Sequence, residues 1–212
     1  MFVFNMGNLD MASIGILAYG SLIDDPGIEI QPLIVEQRAG VETPFRIEFA
    51  RSSSTRNGAP TVIPVENGGS SVLASILVLD KVVSLVAAED LLWRRETRNE
   101  CSESHYKRAT KPNLNKVVVK LLHDLGGLDL VIYTSLGPNI EDLSPTKLAD
   151  LAVSSARAKA GKEGTDGISY LLSLKRQGIA TPLAPAYESE ILRLTKTLTL
   201  ESALAKCQGK GV

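Results

Sequence analysis

An apolar run from Ile14 to Ala18 ends abruptly on Tyr19-Gly20-Ser21-Leu22, and this stop constrains the fold more than any other feature of the chain. A short apolar run bounded by turn residues reads as a buried strand. Gly20 is expected to let the backbone turn where a side chain would clash. The turn would present the consecutive N–H groups of Gly20, Ser21 and Leu22 at a strand end, an arrangement suited to holding a carboxylate.

The remaining strands are expected early in the chain and the helices late. Phe45 to Ala50 alternates Phe45, Ile47 and Phe49 with Arg46, Glu48 and Ala50, the period of a half-buried strand. Thr61 to Val65 and Val72 to Leu79 flank Asn67-Gly68-Gly69 and read as a hairpin. Lys116 to Leu122 and Leu130 to Ser135 flank Gly126-Gly127 and read as a second one. Helices are predicted over Ser84 to Arg95, Ser144 to Ala160 with Pro145 at its first turn, Asp166 to Gln177 before Gly178, and Ala186 to Leu194. Thr181-Pro182 suits a further short helical turn. Strands grouped before helices predict an α+β fold, one domain over 1–212 with mobile ends at 1–13 and 200–212.

Composition removes several classes of function. A chain of 212 residues with 44% hydrophobic content suffices for one full core. Its net charge of −1 offers no electrostatic basis for binding nucleic acid or an anionic membrane. The N-terminus carries no basic-then-apolar secretory pattern, so a cytoplasmic protein is expected. Cys101 and Cys207 are far apart, and His105 and His123 complete no metal-ligand spacing with them. Ser21 lacks the Gly-x-Ser-x-Gly elbow of a hydrolase, and no phosphate-loop or dinucleotide fingerprint is present. Nothing in the sequence sets an oligomeric state.

Four segments taken in order carry a resemblance. They are the Tyr19–Leu22 loop, the stretch from Arg51-Ser52 to Val65, Leu91-Leu92-Trp93-Arg94-Arg95-Glu96, and Gly167 to Leu172 followed by Gly178 to Leu183. Together they resemble the γ-glutamylcyclotransferase-like family from about Ile14 to Leu192. That resemblance implies a small β-barrel with flanking helices and a reaction that converts a γ-glutamyl amide into 5-oxoproline and a free amine. It implies no cofactor and no metal, and its partner is a small γ-glutamyl compound.

In this reading Glu96 is the general acid–base, since Arg95-Glu96 matches the family's position. Trp93, Leu92, Ala88 and Leu85 lie behind Glu96 at helical spacing, which puts the carboxyl at the end of an apolar face. Arg94, Arg95 and Arg98 stand close enough in sequence to pair with it, and such a pair would favour a structural role. Glu89 and Glu100 are the other acids able to take the catalytic part. Tyr19, Gly20, Ser21 and Leu22 would form the substrate cradle. Tyr133 near a strand end is a candidate for the leaving group, and Arg51 and Ser52 for a substrate carboxylate. Asp24 and Asp25 read as caps of the segment behind the loop. The same fold serving as a non-catalytic small-molecule binding or regulatory module is the alternative.

Overall fold

The computed structural model describes residues 12–108 and 113–209. The expected lead-in up to residue 11 and the last three residues lie outside it. The chain divides into two compact units. The first runs to Glu42 and resumes over Leu73–Leu136; the second comprises Thr43–Val72 and the chain from Gly137 onward.

The first unit is built on a five-stranded sheet. Its strands are β1 (Ile14–Ala18), β2 (Ile34–Glu42), β5 (Leu73–Leu79), β6 (Val118–Leu125) and β7 (Leu128–Ser135), in the order β2-β5-β1-β7-β6. The predicted first strand is therefore central, antiparallel to β5 and parallel to β7. Ile16 pairs with Leu77 on one side and Ile132 on the other. These three side chains share a face, because strand side chains alternate with a period of two. Helix α2 (Leu85–Glu96) covers that face, burying Ala88, Leu91 and Leu92 against Ile14, Ile16, Leu77 and Leu130. Truncating a buried leucine such as Leu92 costs about 2–5 kcal/mol. Ser84 opens α2 as its N-cap, its hydroxyl accepting from the Ala87 N–H at 3.3 Å. The short helix α1 (Ser21–Asp24) follows β1 directly.

The outermost strands of this sheet are β2 and β6, so it does not close. Among the described residues there is no closed barrel, and the barrel part of the expected fold is corrected accordingly. Arg38 on β2 pairs with Glu36 two residues back and also donates to the Gly126 carbonyl at 2.8 Å. The β6–β7 hairpin forms as predicted, Leu125 opposite Leu128 with only Gly126-Gly127 between them. Both glycines have positive φ, 60° and 77°, as a twist-matched two-residue turn demands.

In the second unit, β3 (Arg46–Ser53) and β4 (Ala59–Val65) form a two-stranded antiparallel sheet. The hairpin predicted between β4 and β5 does not exist. After β4 the chain passes Asn67-Gly68-Gly69 and reaches the opposite edge of β3, where Ile47 and Ser70 exchange backbone hydrogen bonds at 2.9 and 3.3 Å. Only then does it enter β5 and the other sheet. The helices of this unit are α3 (Pro145–Arg157), α4 (Lys159–Glu163), α5 (Gly167–Arg176), α6 (Ala184–Thr195) and α7 (Leu200–Cys207). The helix predicted to run to Ala160 thus breaks after Arg157, and 200–207, expected to be mobile, form a helix with Leu200 and Ala203 buried.

Phe49 fills the core here, edge-on to Tyr187 at 5.1 Å and to Tyr170 at 6.4 Å. Glu48, expected on a solvated face, is instead 3% exposed. Thr181 Oγ1 donates to one of its carboxylate oxygens at 2.5 Å and the Phe49 N–H to the same atom at 2.9 Å. The Leu183 N–H donates to the other at 3.1 Å. Three donors make up for the hydration this carboxylate loses.

Candidate functional site

The site begins where β1 ends. Its parallel partner β7 runs alongside, and the Tyr19 hydroxyl donates to the Thr134 carbonyl at 2.6 Å, fixing the first residue of the loop to that strand. Gly20 has φ −177°, an extended conformation open to any residue, so the turn expected of it falls instead on the helix that follows. The first backbone bonds of α1 are the Ile23 N–H to Gly20 O at 3.0 Å and the Asp25 N–H to Ser21 O at 2.8 Å. The N–H groups of Ser21 and Leu22 precede them, as at any helix start. Leu22 is buried in the core under α2, which anchors the loop from below.

Glu96 is the last residue of α2, four positions after Leu92, which is wholly buried. Its side chain is therefore on the core-facing stripe and is 17% exposed. Arg95 joins it to the loop. One guanidinium nitrogen donates to Glu96 Oε1 at 2.7 Å. The other donates to the Ser21 hydroxyl at 3.3 Å and to the Asp25 carbonyl at 2.5 Å. Asp25, the C-cap of α1, also lies 3.6 Å from this nitrogen through its carboxylate, while Asp24 closes α1. The sequence placed Glu96 and the loop in one site without indicating that a single side chain would bind both.

Neighbouring charges lock the surroundings. Arg94 holds Glu29 through two hydrogen bonds, at 2.8 and 3.0 Å, and donates to the Ser104 carbonyl at 3.2 Å. That pairing keeps the Glu29 carboxyl below its ordinary range and the Arg94 guanidinium above its own. Asp90, buried on α2, pairs with His105 Nδ1 at 2.6 Å and accepts the Tyr106 N–H at 2.6 Å. Burial pushes the Asp90 carboxyl up, but those two bonds outweigh it and the net shift is downward. Arg94 and Asp90 therefore pin the segment following α2 and leave Arg95 as the arginine that faces the loop.

Of the other acids, Glu89 pairs with Arg108 at 3.1 Å. Glu100 Oε1 is buried with no hydrogen-bond partner among the described residues. It packs against Gly27, as does the stem of Arg95: a Cβ built on Gly27 would collide with Glu100 Oε1 and approach Arg95 Cγ to 2.8 Å. Gly27 also has φ +92°, which disfavours any other residue. A proline-glycine pair, Pro26-Gly27, is the only sequence signal for this pinch.

Tyr133 is on the opposite face of the sheet from Ile132 and α2, again by strand alternation, and burial pushes its hydroxyl's pKa up. It therefore does not share the face that α2 covers. Arg51 and Ser52 belong to the second unit. Arg51 donates to the Gly137 carbonyl at 2.7 Å, and burial lowers its guanidinium's pKa. Ser52 is tied to Asn139 through both its backbone N–H and its carbonyl, at 2.7 and 3.1 Å. Ser52 also borders a cleft of about 550 Å³ within that unit, together with Asn139, Ser144, Lys147 and Asp150. Among the described residues no group of three or more His, Cys, Asp or Glu could hold a metal ion, and no helix is long and apolar enough to cross a membrane.

This arrangement, a strand-end loop joined to the Glu96 carboxyl through Arg95, sits on a mixed α+β fold with a known counterpart. The fold matches the crystal structure of a γ-glutamyl cyclotransferase specific to glutathione from yeast, with a TM-score of 0.53 and 13% sequence identity over 86% of this chain and 99% of that one. The selenomethionine-labelled form of the yeast protein aligns at 10% identity with a TM-score of 0.42, over 94% of this chain and 97% of that one. No protein-family model and no curated protein matches the sequence. The chain thus has the kind of fold seen in a γ-glutamyl cyclotransferase.

Proposed function

We propose that the protein cleaves a γ-glutamyl amide or peptide by cyclisation, releasing 5-oxoproline and a free amine. The supporting observation is that Glu96 stands on the core-facing stripe of α2, 17% exposed, and within one guanidinium's span of the Ser21 hydroxyl. The attacking α-amine and the γ-carbonyl belong to the same substrate, so holding a folded conformer supplies much of the rate. Glu96 takes a proton from the substrate ammonium, the freed amine attacks the γ-carbonyl, and the same carboxyl returns a proton to the leaving amine. Backbone N–H groups of Gly20, Ser21 and Leu22 meet the negative charge of the substrate, whether on its carboxylate or on the oxyanion that develops. The likeness in fold to a cyclotransferase supports this reaction class.

A second reading has its own support. The Arg95–Glu96 pair at 2.7 Å is what a non-catalytic binding module with a structural salt bridge would contain. The deciding experiment incubates the protein with a panel of γ-glutamyl compounds, glutathione included, and follows 5-oxoproline. Turnover by wild type with a loss of about 10² or more in Glu96→Gln is the expected result. Undiminished turnover in that variant moves the role to another acid, and binding of panel members without turnover establishes the binding module.

A further inference from the structure

Arg95 poses a problem for catalysis. Held on Glu96 and Ser21 together, it occupies the proton shuttle and the substrate cradle at once. The remedy lies a few residues along the chain. Glu100 Oε1 is a carboxylate oxygen with neither solvent nor a hydrogen-bond partner among the described residues. Leaving such an atom unpaired is costly, more so when it is charged, and calls for a physical reason. It lies against the same glycine as the Arg95 stem, which puts this carboxylate oxygen beside the arginine that holds Glu96. The backbone presenting Glu100 is itself strained, with Arg98 at φ 53° and Cys101 at φ 60° in the left-handed region. The pairing of Arg94 with Glu29 and Ser104 keeps the neighbouring arginine from competing for Glu100.

We infer that Glu100 is the second seat of Arg95: the guanidinium exchanges from Glu96 and Ser21 to Glu100, and this exchange opens the site. The inference rests on the cyclotransferase reading for its purpose, though not for its geometry. Glu100 is then a positioning residue, acting through Arg95 without touching the substrate. The closed arrangement protects the carboxyl and the hydroxyl when no substrate is present, and a γ-glutamyl compound entering the loop competes with Arg95 for both.

The test reads the exchange directly in the full-length protein, through the Arg95 Nε–H signal in ¹⁵N–¹H NMR spectra, assigned by its loss in Arg95→Lys. A side chain shared between two acids gives a population-weighted shift. Glu96→Gln should move the signal towards the Glu100-bound limit and Glu100→Gln towards the Glu96-bound limit, in opposite directions. Glu100→Asp, which keeps a carboxylate acceptor, should stay nearer to wild type than Glu100→Gln. If turnover is present, Glu100→Gln should raise KM on the order of tenfold with kcat within about twofold, and the effect should shrink in an Arg95→Met background. An Arg95 signal unmoved by Glu100→Gln, or moved the same way by both variants, overturns the exchange. Opposed shifts in a protein that turns over no panel member retain the exchange and remove the cyclotransferase reading, so the two ideas fail separately.

Discussion

Gly27 shows how much a single position without a side chain can control. It occupies a left-handed conformation at φ +92° and is the surface on which Glu100 and the Arg95 stem meet. Gly27→Ala meets two penalties, the backbone conformation and a collision with a carboxylate oxygen. A loss of about 1–3 kcal/mol in urea unfolding is expected, with a displaced Arg95 Nε–H signal. A surface glycine free of such contacts would lose less. The residue scale also sets the limit of reading the sequence. Glu96 is recognisable from its place behind Leu92 and Ala88 at helical spacing. The direction of Arg95 is not, because three arginines within five positions are equivalent until Glu29 and Ser104 claim Arg94.

At the scale of elements, local signals worked where the structure is local. The β6–β7 hairpin follows from Gly126-Gly127, and α3 from Ser144-Pro145, whose serine hydroxyl accepts the Lys147 N–H. Helix α2 followed from its apolar spacing. Its cap is an element-scale prediction: Ser84→Ala should cost about 1 kcal/mol, read as a lower urea midpoint at unchanged slope. The failures are non-local. Asn67-Gly68-Gly69 is a turn, but the strands on either side of it belong to different sheets, since β4 finds β3 and β5 finds β1 and β2. Pairing by adjacency cannot anticipate an insertion. Glu48 was assigned to solvent because its strand alternates, yet its partners Thr181 and Leu183 are more than a hundred residues away. The nearness of Glu96 to the Tyr19–Leu22 loop was expected from two short motifs, and Arg95 bonds a residue of each. For Tyr133 the strand position was legible but its face was not, because one step along a strand changes the face.

For the molecule as a whole, acid should act on the first unit through two carboxylates. Glu29 is held below its ordinary range chiefly by Arg94, and Asp90 by His105 and Tyr106 against the pull of burial. A folded-state value below the unfolded one contributes stability that is complete above the unfolded value, about 4, and is lost as pH falls through the folded one. Thermal midpoints should therefore be flat from about pH 7 to 5 and fall below about pH 4, with a shallower decline in Glu29→Gln. The chain's single tryptophan, Trp93, is on α2 and packs at 6.5 Å from the Tyr106 ring, so its emission reports this transition. A midpoint that rises on acidification would contradict the assignment.

One detail of the open sheet bears on how the protein behaves in company. An outermost strand offers unpaired amides and carbonyls to any other extended chain, a hazard for aggregation. On β2 that border carries Glu36 and Arg38, and the arginine reaches across to the turn at Gly126. The pair forms a charged hem along the sheet, so a foreign strand seeking to extend it must first strip water from both ions.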